Sequence, residues 1–494
     1  MQSILPIHFM FLSVLCQIQN QDYIGGFKTS YSFDVFLRSD DLYITPIYIL
    51  LILVIAAFYS NQRYAGKVYK KYFLPGLMVK LLGAICVGLI YQYYYHGAGD
   101  TRTYYGDGKL ISDLFTSSPT LFFKVLSEHG GIDVDNIQAR TGWIEYFHDP
   151  NSFVVDKIVA CIGIFTFQTY TTIAVVMATI SFFGAWALYT TLCKIYPNLY
   201  KQFAIAVLFI PSVFFWGSGI LKDCITFGCL GWVTYSAYNI FFERKNIVSS
   251  SFLFIIASYF IFIIKSYILL SFLPSLIFWI FLTYRSSIKS SSLRSILTPF
   301  ILLIGGVAGY LIAQKLGQEY TLNNFVKKAS VYQSYHGFLA ESAGASGYSL
   351  GTIDPSPLGA LAKFPAAVNV TLFRPYLWEA HNPVMILSAV ESSIIFIFTL
   401  RIFFRVGFIR TIKTILKNPV VTFCIFFSLL FAFAVGFAAY NFGALVRYKI
   451  PCIPFFVSAL FILNYITQEE KLKSIKNKKV SKFSLIRDEN LAIE

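Results

Sequence analysis

Residues 248–283, VSSSFLFIIASYFIFIIKSYILLSFLPSLIFWIFLT, decide the fold class. The stretch is apolar on every side of any helix drawn through it, and a single charge, Lys265, interrupts it. A helix crossing a bilayer takes about 20 apolar residues. The run is therefore too long for one crossing and suits two, at 248–264 and 267–283, with Lys265 at the turn between them. A helix hydrophobic all round belongs in lipid or in the centre of a large core.

The same composition extends through the chain. Of 494 residues, 56% are hydrophobic and 13% charged, with 51 Phe, more apolar surface than a soluble fold buries. Further apolar runs lie near 43–59, 73–94, 169–192, 202–216, 223–242, 295–314, 383–400, 420–440 and 450–466. The expected architecture is an all-α integral membrane protein of about eleven transmembrane helices (range about 10–13). Residues 4–16 are apolar but short and lack a basic lead, so 1–42 reads as a signal-like or extra-span N-terminal segment. The membrane domain covers 43–466, and 467–494 is a basic tail containing KLKSIKNKKVSKF.

The net charge of +15 does not indicate nucleic acid, because Lys and Arg collect in short gaps between spans. The connections 60–72, 193–201, 243–247, 284–294, 401–419 and the tail are basic, which assigns them to the cytoplasm. The alternate set contains two long loops, 95–157 and 315–382, and the turns near 217–222, 265 and 441–449. All six His belong to this outward set or to the N-terminal segment. The eight Cys mostly fall inside apolar runs and show no C-x-x-C or metal-ligand spacing.

Four polar constellations fall on the outward side. The first, His96 to Gly108, carries Asp100 and Asp107 where the chain leaves a span beside Tyr91, Tyr93, Tyr94 and Tyr95. A carboxylate there is placed to take a proton from an acceptor hydroxyl, and 109–126 reads as a helix along the interface. The second, Pro211 to Asp223, holds Lys222 and Asp223 at a tight Gly217-Ser218-Gly219 turn, with Lys265 as a further cation. The third, Phe373 to Asn382, places Arg374, Glu379 and His381 beside Tyr376 and Trp378, residues suited to phosphate binding, acid–base chemistry and stacking on sugars or at the interface. Glu391 follows inside an apolar run. In the fourth, Asn441 to Lys449, Arg447 and Lys449 share one short turn. Loop 341–359 is small and flexible enough for a lid. The Asn369-Val370-Thr371 sequon has meaning only in a eukaryotic secretory setting. No Walker, GxGxxG, HExxH or serine-triad pattern occurs.

Together these elements resemble the bacterial polytopic enzymes of surface-glycan assembly, the GT-C-class glycosyltransferases and O-antigen-polymerase-like proteins. The resemblance rests on Gly99-Asp100-x-x-x-Tyr104, on Pro-Ser-x-x-Phe-Trp-x-Ser-Gly-x-x-Lys-Asp at 211–223, on Arg-Pro-x-x-Trp-Glu-Ala-x-Asn at 374–382, and on Gly-x-x-x-Arg-Tyr at 443–448. It spans most of the chain without one defining motif. GT-C enzymes usually place their acidic loop after the first span and pair its acid as Asp-Glu or Asp-x-Asp; here it follows the second and Asp100 lacks that pairing.

The resemblance implies a polyprenyl-phosphate or diphosphate-linked sugar donor used on the outer face of an inner membrane, with glycan-assembly proteins as partners. Asp100, Glu379 and His381 become the candidate catalytic residues. Arg374, Arg447, Lys222, Tyr104, Trp378 and Lys265 become the candidate substrate-binding ones. No cofactor is required; a divalent cation is compatible with Asp100 and Asp107. The competing expectations are a flippase or secondary transporter for a lipid-linked glycan or other anion, and a non-catalytic subunit of an envelope assembly complex.

Overall fold

The structure, a computed structural model, describes residues 37–127, 142–285, 333–334 and 346–471 apart from 353 and 355. The 4–16 segment, the 295–314 run, most of loop 315–345, the basic tail beyond 471, and His8, His129 and His336 lie outside the described residues. The described chain is helical throughout, and its β pairing is a bridge between Gly347 and Asn441.

By length and composition, six described helices can cross a membrane: Ser39–Arg63 (α1), Val68–Tyr94 (α2), Tyr170–Ile195 (α6), Ile247–Tyr284 (α10), Pro383–Val406 (α13) and Pro419–Gly436 (α15). A bent pair, Phe442–Tyr448 (α16) and Ile453–Lys471 (α17), makes a seventh if taken as one span. Between these lie Asp100–Ser117 (α3), Pro119–Ser127 (α4), Pro150–Phe165 (α5), Tyr200–Ala204 (α7), Pro211–Trp216 (α8) and Lys222–Tyr238 (α9). Later come Pro357–Ala362 (α11), Phe364–Phe373 (α12) and Phe408–Lys417 (α14). The chain is a multi-pass α-helical membrane protein. Its periphery fits: α1 leaves Leu50, Val54 and Phe58 facing outward, as a lipid-facing helix should.

Several expected spans are shorter or more broken than their apolar runs. The 202–216 run is split at Ile210, which takes an extended backbone ahead of Pro211, a residue that cannot continue the hydrogen bonding of the helix before it. The 109–126 stretch, expected as one helix along the interface, is two helices, because the backbone of Ser118 leaves the helical region before Pro119.

The 247–284 element folds back on itself. The backbone of Lys265 is non-helical, at φ −147° and ψ 72°. Asn239 donates to Ser250 Oγ at 3.4 Å, while Phe242 stacks on Trp279 with ring centroids 4.3 Å apart. An unbroken helix would hold residues 250 and 279 roughly 43 Å apart. Both ends of α10 therefore lie at the far end of α9, and Lys265 is the apex of a hairpin, as the sequence predicts.

The deepest packing joins α6 and α9, which run in the same direction. A Cβ on Gly231 would lie 2.0 Å from the Gly184 carbonyl oxygen, and one on Gly184 would lie 1.9 Å from that of Gly228. The backbones touch only because these positions lack side chains. Gly231→Ala should therefore lower stability by upwards of about 3 kcal/mol. Gly106→Ala, at a helical position with open space around it, should be neutral or gain up to about 1 kcal/mol. Thermal unfolding of the two purified variants checks the contrast; equal midpoints would contradict the contact.

Candidate functional site

Arg447, Tyr448 and Lys449 close α16, and each reaches a different part of the bundle. Arg447 donates to Tyr91 Oη at 2.9 Å and to Asp100 Oδ2 at 3.1 Å. Tyr91 ends α2 and Asp100 begins α3. Gly99 between them has φ +109°, and a Cβ there would meet the Tyr91 ring at 2.7 Å. Glycine at 99 thus lets the phenol and the carboxylate converge on one guanidinium.

Tyr448 lies under Lys265, whose Nζ sits 4.5 Å from the ring centroid. Lys265 donates to Asp223 Oδ1 at 2.6 Å, and both side chains are buried. Lys449 is fully buried; it donates to Ser392 Oγ at 2.8 Å and approaches the Arg374 carbonyl oxygen at 3.5 Å. Arg374 itself grips Glu379 with two donors, and Glu379 also accepts from the Tyr376 amide at 2.8 Å.

Lys222 and Asp223, neighbours in sequence, have separate partners. Lys222 faces Asp149 at 3.6 Å, beyond a hydrogen bond. Asp149 is engaged elsewhere, accepting from the Asn151 amide at 3.1 Å and from Ser152 Oγ to cap α5. Among the cations of this cluster, Lys222 is the most loosely held.

The cluster reaches well below the helix ends. Lys80 sits in α2 about 18 Å from one end and 21 Å from the other. It is buried, donates to the Gly217 carbonyl oxygen, and lies 5.0 Å from the Phe227 ring centroid. The Gly217-Ser218-Gly219 turn is consequently sunk to mid-helix depth. Glu391, inside α13, is buried as well, accepting from the Ser212 amide at 2.8 Å and Ser212 Oγ at 2.6 Å at the start of α8. Charge is thus not confined to span ends; the sequence reading marks Glu391 inside its run but passes over Lys80. Its signal was present as one Lys within an apolar run.

Not every expected residue joins the cluster. Tyr104 is buried, its ring 5.0 Å from that of Tyr146, so it packs inside the α3–α5 cap and offers no face to a sugar. Trp378 is 77% exposed and stacks on Tyr376 at 4.9 Å, and His381 is exposed. Asp107, two turns along the same helix from Asp100, accepts from the Glu145 and Tyr146 amides at 3.2 and 2.9 Å. With separate partners, Asp100 and Asp107 do not form a joint cation site. Among the described residues no group of three or more His, Cys, Asp or Glu gathers.

Asp156 of α5 is a residue the sequence reading missed. It is fully buried, with no hydrogen-bond partner on either oxygen. Burial, and then the Asp107 charge, push its carboxyl well above the usual range. Burial likewise raises Asp107 from 3.8 to about 6, opposed by its two amide hydrogen bonds.

No protein-family model matches the chain, and no curated protein or solved structure matches it. The fold and site therefore define a class, a multi-pass helical membrane protein with a polar cluster sunk among its helices.

Two outcomes follow from these pairs. Lys265→Met strands a buried carboxylate and should cost about 3–5 kcal/mol, while adding Asp223→Leu should recover most of it; a thermal double-mutant cycle reads the coupling. Asp107 has a folded pKa above its unfolded one, so its contribution is fully present below about pH 4 and lost as pH rises through about 6. Asp107→Asn should therefore change unfolding midpoints relative to wild type by an amount that differs between pH 4 and pH 7. A constant difference across that range would exclude this titration.

Proposed function

We propose that the chain is a membrane enzyme that transfers or polymerises sugars from a polyprenyl-phosphate or diphosphate donor. In this reading it crosses an inner membrane about eleven times, with the polar cluster on the extracytoplasmic side. Counting α10 as two crossings, and the shorter α7–α8 and α9 as one each, raises the number towards that total. The observation that carries the proposal is the convergence of Arg447, Lys265 and Lys222 from distant segments beside a half-exposed Asp100. Cations gathered in one place suit the phosphate of an anionic lipid-linked donor, and an adjacent carboxylate suits proton removal from a sugar hydroxyl.

The roles separate by how firmly each cation is held. Arg374 is occupied by both oxygens of Glu379, and Lys265 by buried Asp223. Lys222 has only a long pair with a carboxylate that serves another helix. We assign Lys222 to the donor phosphate, and Arg447 to holding Asp100 while neutralising charge as the lipid phosphate leaves. Trp378 and Tyr376 give a stacked aromatic shelf beside Arg374, suited to a sugar ring.

One observation favours a transporter instead. Lys80, Glu391 and the broken 200–221 segment place charge and unwound backbone at mid-helix depth, as secondary transporters do. Purified protein in vesicles containing a polyprenyl-diphosphate glycan separates the two. A product ladder indicates a polymerase and single addition a transferase; movement of glycan between leaflets without product supports the transporter. For the enzyme, Lys222→Met should reduce product formation at least about tenfold, the loss of one charge-assisted contact. Asp149→Asn, which keeps the helix cap, should retain it. Full activity in Lys222→Met would overturn the phosphate assignment.

A further inference from the structure

At the opposite end of the bundle, α14 connects two spans, α13 and α15. At ten residues it is about 15 Å long, too short to cross a bilayer. The chain enters it through Gly407 (φ +86°) and leaves it through Asn418, whose side chain accepts from the Val421 amide at 3.1 Å.

Around the helix the residues sort into three sectors. Thr411 and Thr414 are buried against the bundle. Phe408, Ile409, Ile412 and Leu416 fall within about 100° of one another, and all are exposed. Arg410, Lys413 and Lys417 fall within about 60° on a third side, also exposed. Arg401 and Arg405, exposed on the last turns of α13, add to the same positive field, and 401–419 contains no Asp or Glu. Glu470 meets Arg410 at 2.7 Å in a half-exposed pair, leaving Lys413 and Lys417 facing away from the bundle.

An apolar sector bordered by a basic one suits a helix lying at a bilayer surface, its side chains in the acyl boundary and its cations among headgroups. We infer that α14 is a docking surface for anionic phospholipid, binding the headgroup layer through Lys413 and Lys417 with Arg401 and Arg405 alongside. Charge complementarity selects the occupant: a zwitterionic leaflet would satisfy the apolar sector but leave a one-sign cluster without counter-charge. The assignment is independent of the chemistry at the other end of the molecule.

The test uses the full chain reconstituted in discs of mixed phosphatidylcholine and phosphatidylglycerol. Lipid that stays with the protein on transfer to mild detergent is identified by mass spectrometry. Wild type should retain phosphatidylglycerol in excess of its share of the mixture. Lys413→Gln and Lys417→Gln should each weaken that excess roughly fivefold, with a larger effect together, and high salt should weaken it in wild type. The Lys413→Gln/Lys417→Gln protein should elute and melt as wild type does in phosphatidylcholine alone, since neither residue packs in the core. Retention of both lipids in proportion to the mixture, or unchanged preference in the double variant, overturns the inference. So does a wild-type dimer in detergent that Ile409→Ser and Ile412→Ser disperse, which would give this face to a second copy of the chain.

Discussion

Placing a charged side chain among apolar helices is favourable only when every donor finds an acceptor, and α16 is built on that constraint. Arg447, Tyr448 and Lys449 satisfy it by spreading their contacts over separate elements. One reaches Asp100 and Tyr91, one receives Lys265 from the α10 hairpin, and one reaches Ser392 of α13. Moving any of these elements would leave a buried cation or its counter-charge without a partner. The polar run thus fixes mutual positions that apolar packing alone leaves poorly specified, because lipid chains are as apolar as the side chains of the helices.

The apolar contacts serve a complementary purpose. Glycines 184, 228 and 231 bring α6 and α9 into backbone contact, and this holds Lys222 and Asp223 at the start of α9 in a fixed place. Gly83 does the same for α2, where a Cβ would lie 2.4 Å from the Phe214 carbonyl oxygen. Close backbone approach sets where the broken 200–221 segment turns, and Lys80 then fixes the depth of that turn.

Much of the fold was legible in the sequence because lipid imposes one strong rule on composition. Apolar runs marked the helices, and the lone Lys265 marked a reversal that the Asn239–Ser250 and Phe242–Trp279 contacts bear out. The site was legible only in outline. Asp100, Arg447, Lys222 and Lys265 do converge, but their pairing does not follow from adjacency: Lys222 and Asp223 part to different partners. Asp100 and Arg447 meet across 347 positions of chain, and no local pattern encodes such a contact. Tyr104 shows the reverse error, since its place in a motif suggested a ligand contact and the α3–α5 packing buries it. Lys80 is a lone charge in an apolar run and Asp156 stands beside Lys157, weak signals that only burial makes informative.

The position of α16 after the elements it contacts has a consequence for biogenesis. Asp223 is synthesised 42 residues before Lys265, so a counter-charge is already made when the hairpin apex emerges. Asp100 and Ser392 must instead wait for Arg447 and Lys449. Until the ribosome has delivered α16, Asp100, Tyr91 and Ser392 lack the cations they meet in the folded protein. α16 therefore acts as a late clasp, and a nascent chain truncated before it lacks the contacts that tie α2, α3 and α13 to one short helix.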